Sequence, residues 1–110
     1  MNWIDLTTES QLADIKSKAG KSIIFKHSTR CSISLMAKKR VELDDDLLTD
    51  DISCYFLDLL NYRALSSLIA ETFNVHHESP QLLAIKDGDC ILDQSHGDIS
   101  IEEVLEEFQK

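Results

Sequence analysis

The spacing of hydrophobic residues along the chain predicts strands and helices in alternation. Compact apolar runs rich in β-branched and aromatic residues are typical of strands. Such runs lie at residues 3–6, 22–26, 52–57 and 81–86, and a more polar run lies at 89–94. The segments between them repeat an apolar residue every three or four positions, as amphipathic helices do. The pattern therefore predicts the element order β-α-β-α-β-α-β-β-α.

Capping signals mark where three of the predicted helices begin. Thr8 with Gln11 and Ser100 with Glu103 have the spacing of a capping box, and Asn61 precedes the third helical segment. Within each helix, the apolar residues that share one side are expected to face the sheet. These residues are Leu12, Ile15 and Ala19 in the first helix, Leu65, Leu68, Ile69 and Phe73 in the third, and Ile101, Val104, Leu105 and Phe108 in the last.

The second helix carries the most distinctive sequence. It is expected to begin near Cys31 and to end at the cations of residues 38–40, which complement the negative end of a helix dipole. Its apolar residues Ile33, Met36 and Ala37 are expected to share one inward side.

Two connections define the fold class. Asp87-Gly88 between two strand-like runs is a strong signal for a two-residue hairpin. The acidic stretch 44–51 is expected to be a solvated loop with its two leucines tucked in. Alternating strands and helices imply parallel β-α-β units, and the hairpin adds an antiparallel pair. The chain is thus expected to form one α/β domain over residues 1–110, with a mixed central sheet and helices on both faces.

The charge of the chain excludes some functions and is unevenly distributed. The formal net charge of −9 argues against nucleic acid as a partner, because nucleic-acid-binding proteins carry a basic excess. Residues 1–40 contain 8 basic and 3 acidic residues, whereas residues 41–110 contain 3 and 17. No secretory signal opens the chain, and no apolar stretch approaches the roughly 20 residues that span a bilayer. A cytoplasmic protein without a membrane partner is therefore expected.

One of the three cysteines stands in a reactive position. An odd number of cysteines argues against a disulfide framework. Cys31 lies at a predicted strand-to-helix junction, where free N–H groups and the helix dipole favour the thiolate that attacks disulfides. Lys26 and Arg30 add to this effect if their side chains turn towards the thiol. Cys54 and Cys90 fall inside predicted strands and are expected to be inert core thiols. The alternative for Cys31 is a small residue that happens to begin a helix.

The residue three positions after Cys31 is Ser34, where a C-x-x-C dithiol has its second cysteine. If Cys31 is catalytic, an external thiol must therefore complete the cycle. Pro80 follows a helix-to-strand loop and directly precedes a strand, which makes Ser79-Pro80 a candidate for a cis peptide bond. A trans proline fits the sequence equally well. The backbone of such a loop can pair with an extended substrate segment.

Other kinds of site find little support in the sequence. The four histidines, together with Cys31, lack the close spacing that is usual for zinc ligands, so no metal site is expected. No Gly-x-Ser-x-Gly motif is present, which removes the usual signal of a serine hydrolase. Thiol chemistry is the remaining catalytic hypothesis.

Four segments together resemble a known family. They are Lys26-His27-Ser28-Thr29-Arg30-Cys31-Ser32-Ile33-Ser34, His77-Glu78-Ser79-Pro80-Gln81, Lys86-Asp87-Gly88 and Ser95-His96-Gly97-Asp98-Ile99-Ser100. They look like the corresponding segments of the YtxJ-type monothiol bacilliredoxins of the bacillithiol system, and the similarity covers almost the whole chain. The chain departs from the family at Ser32, where proline is common, and at Gly97, where an aromatic residue is common.

The resemblance implies a thioredoxin fold and a thiol–disulfide oxidoreductase that removes bacillithiol, or a similar small thiol, from thiolated client proteins. Cys31 would be the nucleophile and Ser79-Pro80 the cis-proline loop. Arg30 would stabilise the thiolate together with Thr29 and Ser34. The positive charge of Lys26 and Arg30, with Arg63, would suit the malate moiety of bacillithiol. The residues expected to bind substrate are Lys26, Arg63, His77, Ser79 and Pro80. A monomer is expected, with bacillithiol as co-substrate and no permanently bound cofactor.

Two other functions stay open at this point. The first is a non-catalytic binding or stress adaptor of thioredoxin fold, which would dock partners through the Pro80 loop and the acidic surface. The second is transfer of the small thiol to electrophiles, although no feature of the sequence calls for it. The reactivity of Cys31 distinguishes the adaptor from the oxidoreductase.

Overall fold

A computed structural model describes the whole chain, residues 1–110. The strands are β1 (Trp3–Asp5), β2 (Lys21–His27), β3 (Ile52–Asp58), β4 (Gln81–Lys86) and β5 (Asp89–Ser95). The helices are α1 (Glu9–Ser17), α2 (Ser32–Leu43), α3 (Arg63–Phe73) and α4 (Ile101–Phe108). Two short 3-10 turns are added at Asp45–Leu47 and His96–Asp98. The predicted order of strands and helices is confirmed.

The five strands form one mixed sheet in the order β1-β3-β2-β4-β5. Strand β2 pairs in parallel with β3 and antiparallel with β4. Near the end of β2, Lys26 pairs with Gln81, the first residue of β4, and His27 pairs with Asp58, the last residue of β3. One end of the sheet therefore gathers the loops that follow β2 and β3 and the loop that precedes β4.

The two faces of β2 are covered by different helices. Ile23 and Phe25 pack in one apolar cluster with residues of α2 and α4. Ile24 packs in the other cluster, with residues of α1 and α3. Side chains alternate between the faces of a strand, so each β2 residue faces one helix pair or the other according to its position.

Helix α2 differs from the prediction in its inward side and its length. Ser34, Ala37 and Val41 are its buried residues, whereas Ile33 and Met36 are more than half exposed. Apolar residues lie on both sides of this helix, so the spacing alone could not identify the inward one. The inward side is made of small residues, and the Ser34 hydroxyl is accommodated there because it finds hydrogen-bond partners. The helix also continues past the predicted end, to Leu43.

Local capping and turn signals are confirmed in two places. Thr8 accepts a hydrogen bond from the Gln11 N–H, and the Gln11 side chain accepts one from the Thr8 N–H. Helix α1 ends before Ala19, which is exposed and does not join the inward side as predicted. Asp87 and Gly88 form the hairpin between β4 and β5, with positive φ angles of 53° and 83°. Both angles are those of a type I′ turn.

Two further local predictions are only half right. Ser100 accepts a hydrogen bond from the Glu103 N–H, but the Glu103 carboxylate accepts from Gln94 Nε2 at 3.1 Å and leaves the capping box open. In the acidic loop, Leu48 packs against the core whereas Leu47 is exposed. In the first case a tertiary contact takes the side chain that the local sequence assigned to the cap, and in the second only one of the two leucines reaches the core.

Candidate active site

The predicted site residues surround the end of the sheet where β2 and β3 end and β4 begins. Cys31 follows β2 after a short loop, Arg63 opens α3 after β3, and Pro80 directly precedes β4. Because β2 lies between β3 and β4, these three connections leave the sheet side by side. The topology thus brings the cysteine loop and the proline loop to one edge of the protein.

Cys31 directly precedes helix α2, and its side chain is half-buried. The N–H groups of Ser32, Ile33 and Ser34 in the first turn have no main-chain acceptor, and this turn contains no acidic residue. Free N–H groups and the helix dipole together attract negative charge to a helix N-terminus. A thiolate at Cys31 would therefore meet an electropositive helix end.

Ser34 makes no hydrogen bond with the thiol, which corrects the role expected for it. Its Oγ lies 2.7 Å from His27 Nδ1 and accepts the Ser28 N–H at 3.0 Å. Burial, followed by the charge of Lys38, lowers the pKa of His27. The neutral ring can therefore accept a hydrogen bond from the Ser34 hydroxyl. Thr29 is exposed and makes no hydrogen bond with the thiol either. Ser34 fixes the loop between β2 and Cys31 from the inside.

This position of Ser34 leads to a prediction about stability. Replacing it by alanine (Ser34→Ala) leaves the Ser28 N–H and His27 Nδ1 without their partner, and we expect unfolding to become easier by about 2 kcal/mol. Urea denaturation followed by circular dichroism measures this change. The exposed Ser32 on the same helix is the matched control, and Ser32→Ala should stay within about 0.5 kcal/mol of wild type. If Ser34→Ala and Ser32→Ala are equally stable, the buried hydrogen bonds of Ser34 do not stabilise the fold as proposed.

Arg30 and Arg63 are the exposed cations of this edge. Arg30 directly precedes Cys31, and Arg63 is the first residue of α3. Neither guanidinium takes part in an ion pair within the chain, so both are available to an anionic ligand.

Lys26 is fully buried, which corrects its expected place beside the thiol. Its Nζ donates to the Ser66 carbonyl in α3 at 3.1 Å and lies 3.2 Å from His77 Nδ1. It therefore faces the helix pair α1 and α3, whereas α2 with Cys31 covers the opposite face of the sheet. Burial lowers the pKa of Lys26 to about 8. Partial burial, followed by the charge of Lys26, lowers the pKa of His77, so its neutral ring can accept from the ammonium.

The loop before β4 contains a cis peptide bond between Ser79 and Pro80. Gln81, which is fully buried, holds this loop: its Nε2 donates to the His76 carbonyl at 2.8 Å, and its Oε1 accepts the Glu78 N–H at 3.4 Å. The Ser79 hydroxyl is buried without a hydrogen-bond partner, and the Ser79 main chain takes no part in the loop hydrogen bonds. The loop is thus fastened through Gln81 and leaves the Ser79 main chain unpaired.

The two positions that depart from the resembled family are both exposed. Ser32 is the first residue of α2, and its side chain makes no hydrogen bond. Gly97 lies in the second 3-10 turn, and a Cβ added there would have no neighbour within 4 Å. The His96 N–H in the same turn donates to the Pro80 carbonyl at 3.1 Å. The glycine therefore leaves open space close to the cis-proline loop.

The surroundings of the remaining thiols favour their protonated form. Burial raises the pKa of Cys54 to about 11 and that of Cys90 to about 11. Cys54 is buried as expected of a core cysteine, whereas Cys90 is only half-buried. No group of three or more histidine, cysteine or acidic side chains is placed to hold a metal ion. Among the helices, none combines the length and the hydropathy that crossing a membrane requires.

Sequence reasoning did not single out His27 and Gln81, which position the two loops of the site. Each is a polar residue at the end of an otherwise apolar strand, and each is buried. A buried polar residue needs a partner. Their place at strand ends, within the motif segments, was the signal that could have identified them.

Comparisons with known proteins bear on the family and the fold of the chain. The family model described as monothiol bacilliredoxin BrxC matches residues 4–104. A solved structure with a thioredoxin fold, proposed to be an oxidoreductase, is 28% identical, with a TM-score of 0.83 over 96% of this chain and 93% of that chain. The thioredoxin of Malassezia sympodialis is 14% identical, with a TM-score of 0.75 over 99% of this chain and 90% of its own. The thioredoxin of Trypanosoma brucei brucei is 9% identical, with a TM-score of 0.75 over 98% of this chain and 88% of its own. The predicted thioredoxin fold is confirmed.

Proposed function

The chain belongs to the monothiol bacilliredoxin family BrxC, which gives it a redox function, and we propose that it removes bacillithiol from mixed disulfides on client proteins. The observation that supports this proposal most directly is the position of Cys31. Its half-buried thiol lies at the N-terminal end of α2, at the same edge of the sheet as the cis-proline loop. The other two cysteines are protonated at neutral pH.

In the proposed reaction, the Cys31 thiolate attacks the bacillithiol sulfur of the client's mixed disulfide. A new disulfide forms between Cys31 and bacillithiol, the old S–S bond breaks, and the client leaves as a thiolate that takes a proton from water. The thiolate of a second bacillithiol then attacks the sulfur of the bound bacillithiol. This step releases bacillithiol disulfide and restores the Cys31 thiolate. The cycle is monothiol because Ser34 stands where a resolving cysteine would be.

The surrounding residues suit an anionic thiol attached to an extended peptide. Arg30 and Arg63 would bind the carboxylates of the malate moiety through charge-assisted hydrogen bonds. The unpaired main chain of Ser79 would pair with the client segment that carries the modified cysteine. His77 would act with Lys26 as a support of this loop. We place this activity in the cytoplasm, where proteins keep unpaired thiols such as these three.

Peptide mapping by mass spectrometry tests the proposal. A client protein carrying one bacillithiol is incubated with excess protein in the absence of free bacillithiol. The modification is expected to leave the client and to appear on the peptide that contains Cys31. Cys54→Ala and Cys90→Ala are the matched controls and should accept it equally well. A parallel client carrying glutathione shows whether the site selects bacillithiol or takes small thiols in general.

The contrary outcome has a clear meaning. If the client keeps its bacillithiol, or if the modification appears on another cysteine, the proposal is wrong. A client that binds to the protein but keeps its bacillithiol would instead support the non-catalytic adaptor. Alkylation of Cys31 by iodoacetamide at neutral pH, compared with a free cysteine, then shows whether the thiol is reactive at all.

A further inference from the structure

The outward side of α2 carries an apolar stripe that begins beside Cys31. Its members follow one helix face at spacings of three and four residues. They are Ser32, Leu35, Met36, Lys39 and Leu43. Leu35, Met36 and Leu43 are 48%, 64% and 79% exposed. A shallow groove of about 440 Å³ follows the stripe from Ser32 to Lys39 and is also lined by Lys38 and Glu42. Single exposed apolar residues are ordinary, but three on one helix face beside the candidate thiol suit a surface that a partner covers.

Positive charge borders this stripe. Lys39 lies within it and forms no ion pair, and Arg30 lies at its Cys31 end. The one acidic side chain on this face, Glu42, accepts from Trp3 Nε1 at 3.0 Å and pairs with Lys38 at 3.2 Å. Its charge is therefore already compensated within the chain. An apolar and positively charged surface thus adjoins the thiol of a protein whose net charge is −9.

We propose that this stripe is a docking surface for an acidic, apolar segment of the client next to its modified cysteine. This inference rests on the proposed function of Cys31. Leu43 lies eleven positions after Ser32 along the helix, which is a rise of about 16 Å, or the length of about five extended residues. The positive charge of the stripe complements acidic side chains, and Leu35 and Met36 complement apolar ones.

Other occupants fit this surface less well. Bacillithiol is small and polar, so the leucine and methionine side chains offer it little. A symmetric pair of chains joined at the centre of the stripe would bring Lys39 of one copy close to Lys39 of the other, which is unfavourable. The chemistry of the surface therefore favours a segment of the client.

Two peptides with the same bacillithiol mixed disulfide provide the test. In one, the cysteine is flanked by aspartate, glutamate and leucine, and in the other by lysine and serine. The wild-type protein should accept bacillithiol from the acidic, apolar peptide about tenfold faster. The double variant Leu35→Ser/Met36→Ser should lose this advantage and keep its rate with the basic peptide. Leu47→Ser is the matched control, because Leu47 is a leucine of similar exposure, 41%, outside the stripe.

The charge contribution is tested separately. Lys39→Glu should lower the rate with the acidic peptide about tenfold and leave the rate with the basic peptide unchanged or raised. Salt at about 1 M shortens the screening length to about 3 Å. It should therefore reduce the difference between the rates at which the wild-type protein reacts with the two peptides. Equal rates of wild type and both variants with the acidic peptide would overturn the docking surface.

A small substrate separates this inference from the proposed function. The mixed disulfide of bacillithiol with thionitrobenzoate releases a coloured thiolate when Cys31 attacks, and it is too small to span the stripe. Wild type, the double variant and Lys39→Glu should react with it at equal rates. If the wild type does not react, the proposed function fails and the docking surface fails with it. If the chain self-associates and the double variant abolishes this association, the stripe is a dimer interface and the inference is wrong.

Discussion

Cys31→Ser is expected to transfer no bacillithiol from a client, with kcat/KM at least about a thousandfold below wild type. A serine hydroxyl is not ionised at neutral pH, and an oxygen atom cannot form the mixed disulfide that the proposed cycle requires. The half-buried position of Cys31 tolerates serine, so the variant should fold. Steady-state release of the client thiol, with bacillithiol as the second substrate, measures the loss.

The other cysteines serve as internal controls for this experiment. Cys54→Ala and Cys90→Ala should keep kcat/KM within about twofold of wild type, because neither thiol is ionised at neutral pH. Their lost side chains should reduce stability instead, since both lie in strands of the sheet. Residual activity of Cys31→Ser above about a tenth of wild type would show that another group attacks the mixed disulfide.

Lys26→Met is expected to change how stability depends on pH. Burial lowers the pKa of Lys26 from 10.5 to about 8 in the folded protein. Below pH 8 the folded and unfolded states both carry the charge, and folding bears the whole cost of burying it. Between pH 8 and 10.5 the unfolded state binds more protons than the folded state, so the free energy of unfolding rises with pH. Relative to Lys26→Met, the free energy of unfolding of the wild type should rise by about 3 kcal/mol between pH 7 and 10.5.

Urea denaturation of both proteins across this pH range, with a reductant present, measures the difference directly. Taking the difference between wild type and variant removes the contribution of every titrating group that does not interact with Lys26. Lys39→Met is the matched control, since Lys39 is exposed and its difference from wild type should stay flat with pH. A difference for Lys26→Met that is equally flat would contradict the buried position of the ammonium.

Features with a local cause were predictable from the sequence. The Thr8–Gln11 capping box and the Asp87-Gly88 turn depend on groups within a few residues, and both are present as expected. The position of Cys31 before a helix also follows from local pattern. The inward side of α2 did not, because Ile33 and Met36 give the helix a second apolar side. Packing against the sheet decided between the two sides.

Within the site, the sequence shows which residues have side chains suited to thiol chemistry or substrate binding. The tertiary structure decides which of them lie close together. Cys31 and Pro80 are distant in sequence, and the antiparallel pairing of β2 with β4 places their loops at one edge. Lys26 and Ser34 both lie close to Cys31 in sequence, yet neither side chain makes a hydrogen bond with the thiol. Lys26 occupies the strand position that faces α3, and the Ser34 hydroxyl is taken by His27 and Ser28.

The sequence by itself determined the order of the elements, the cysteine proposed as nucleophile and the family resemblance, because each of these depends on residue types at short spacings. Only the tertiary structure decided the direction of each side chain, since that direction depends on strand parity and on the helix packed against it. It buried Lys26, which was expected to bind substrate, and exposed the apolar stripe from Leu35 to Leu43. The positive charge near the thiol therefore comes from Arg30 and the outward side of α2, and Lys26 contributes none at the surface.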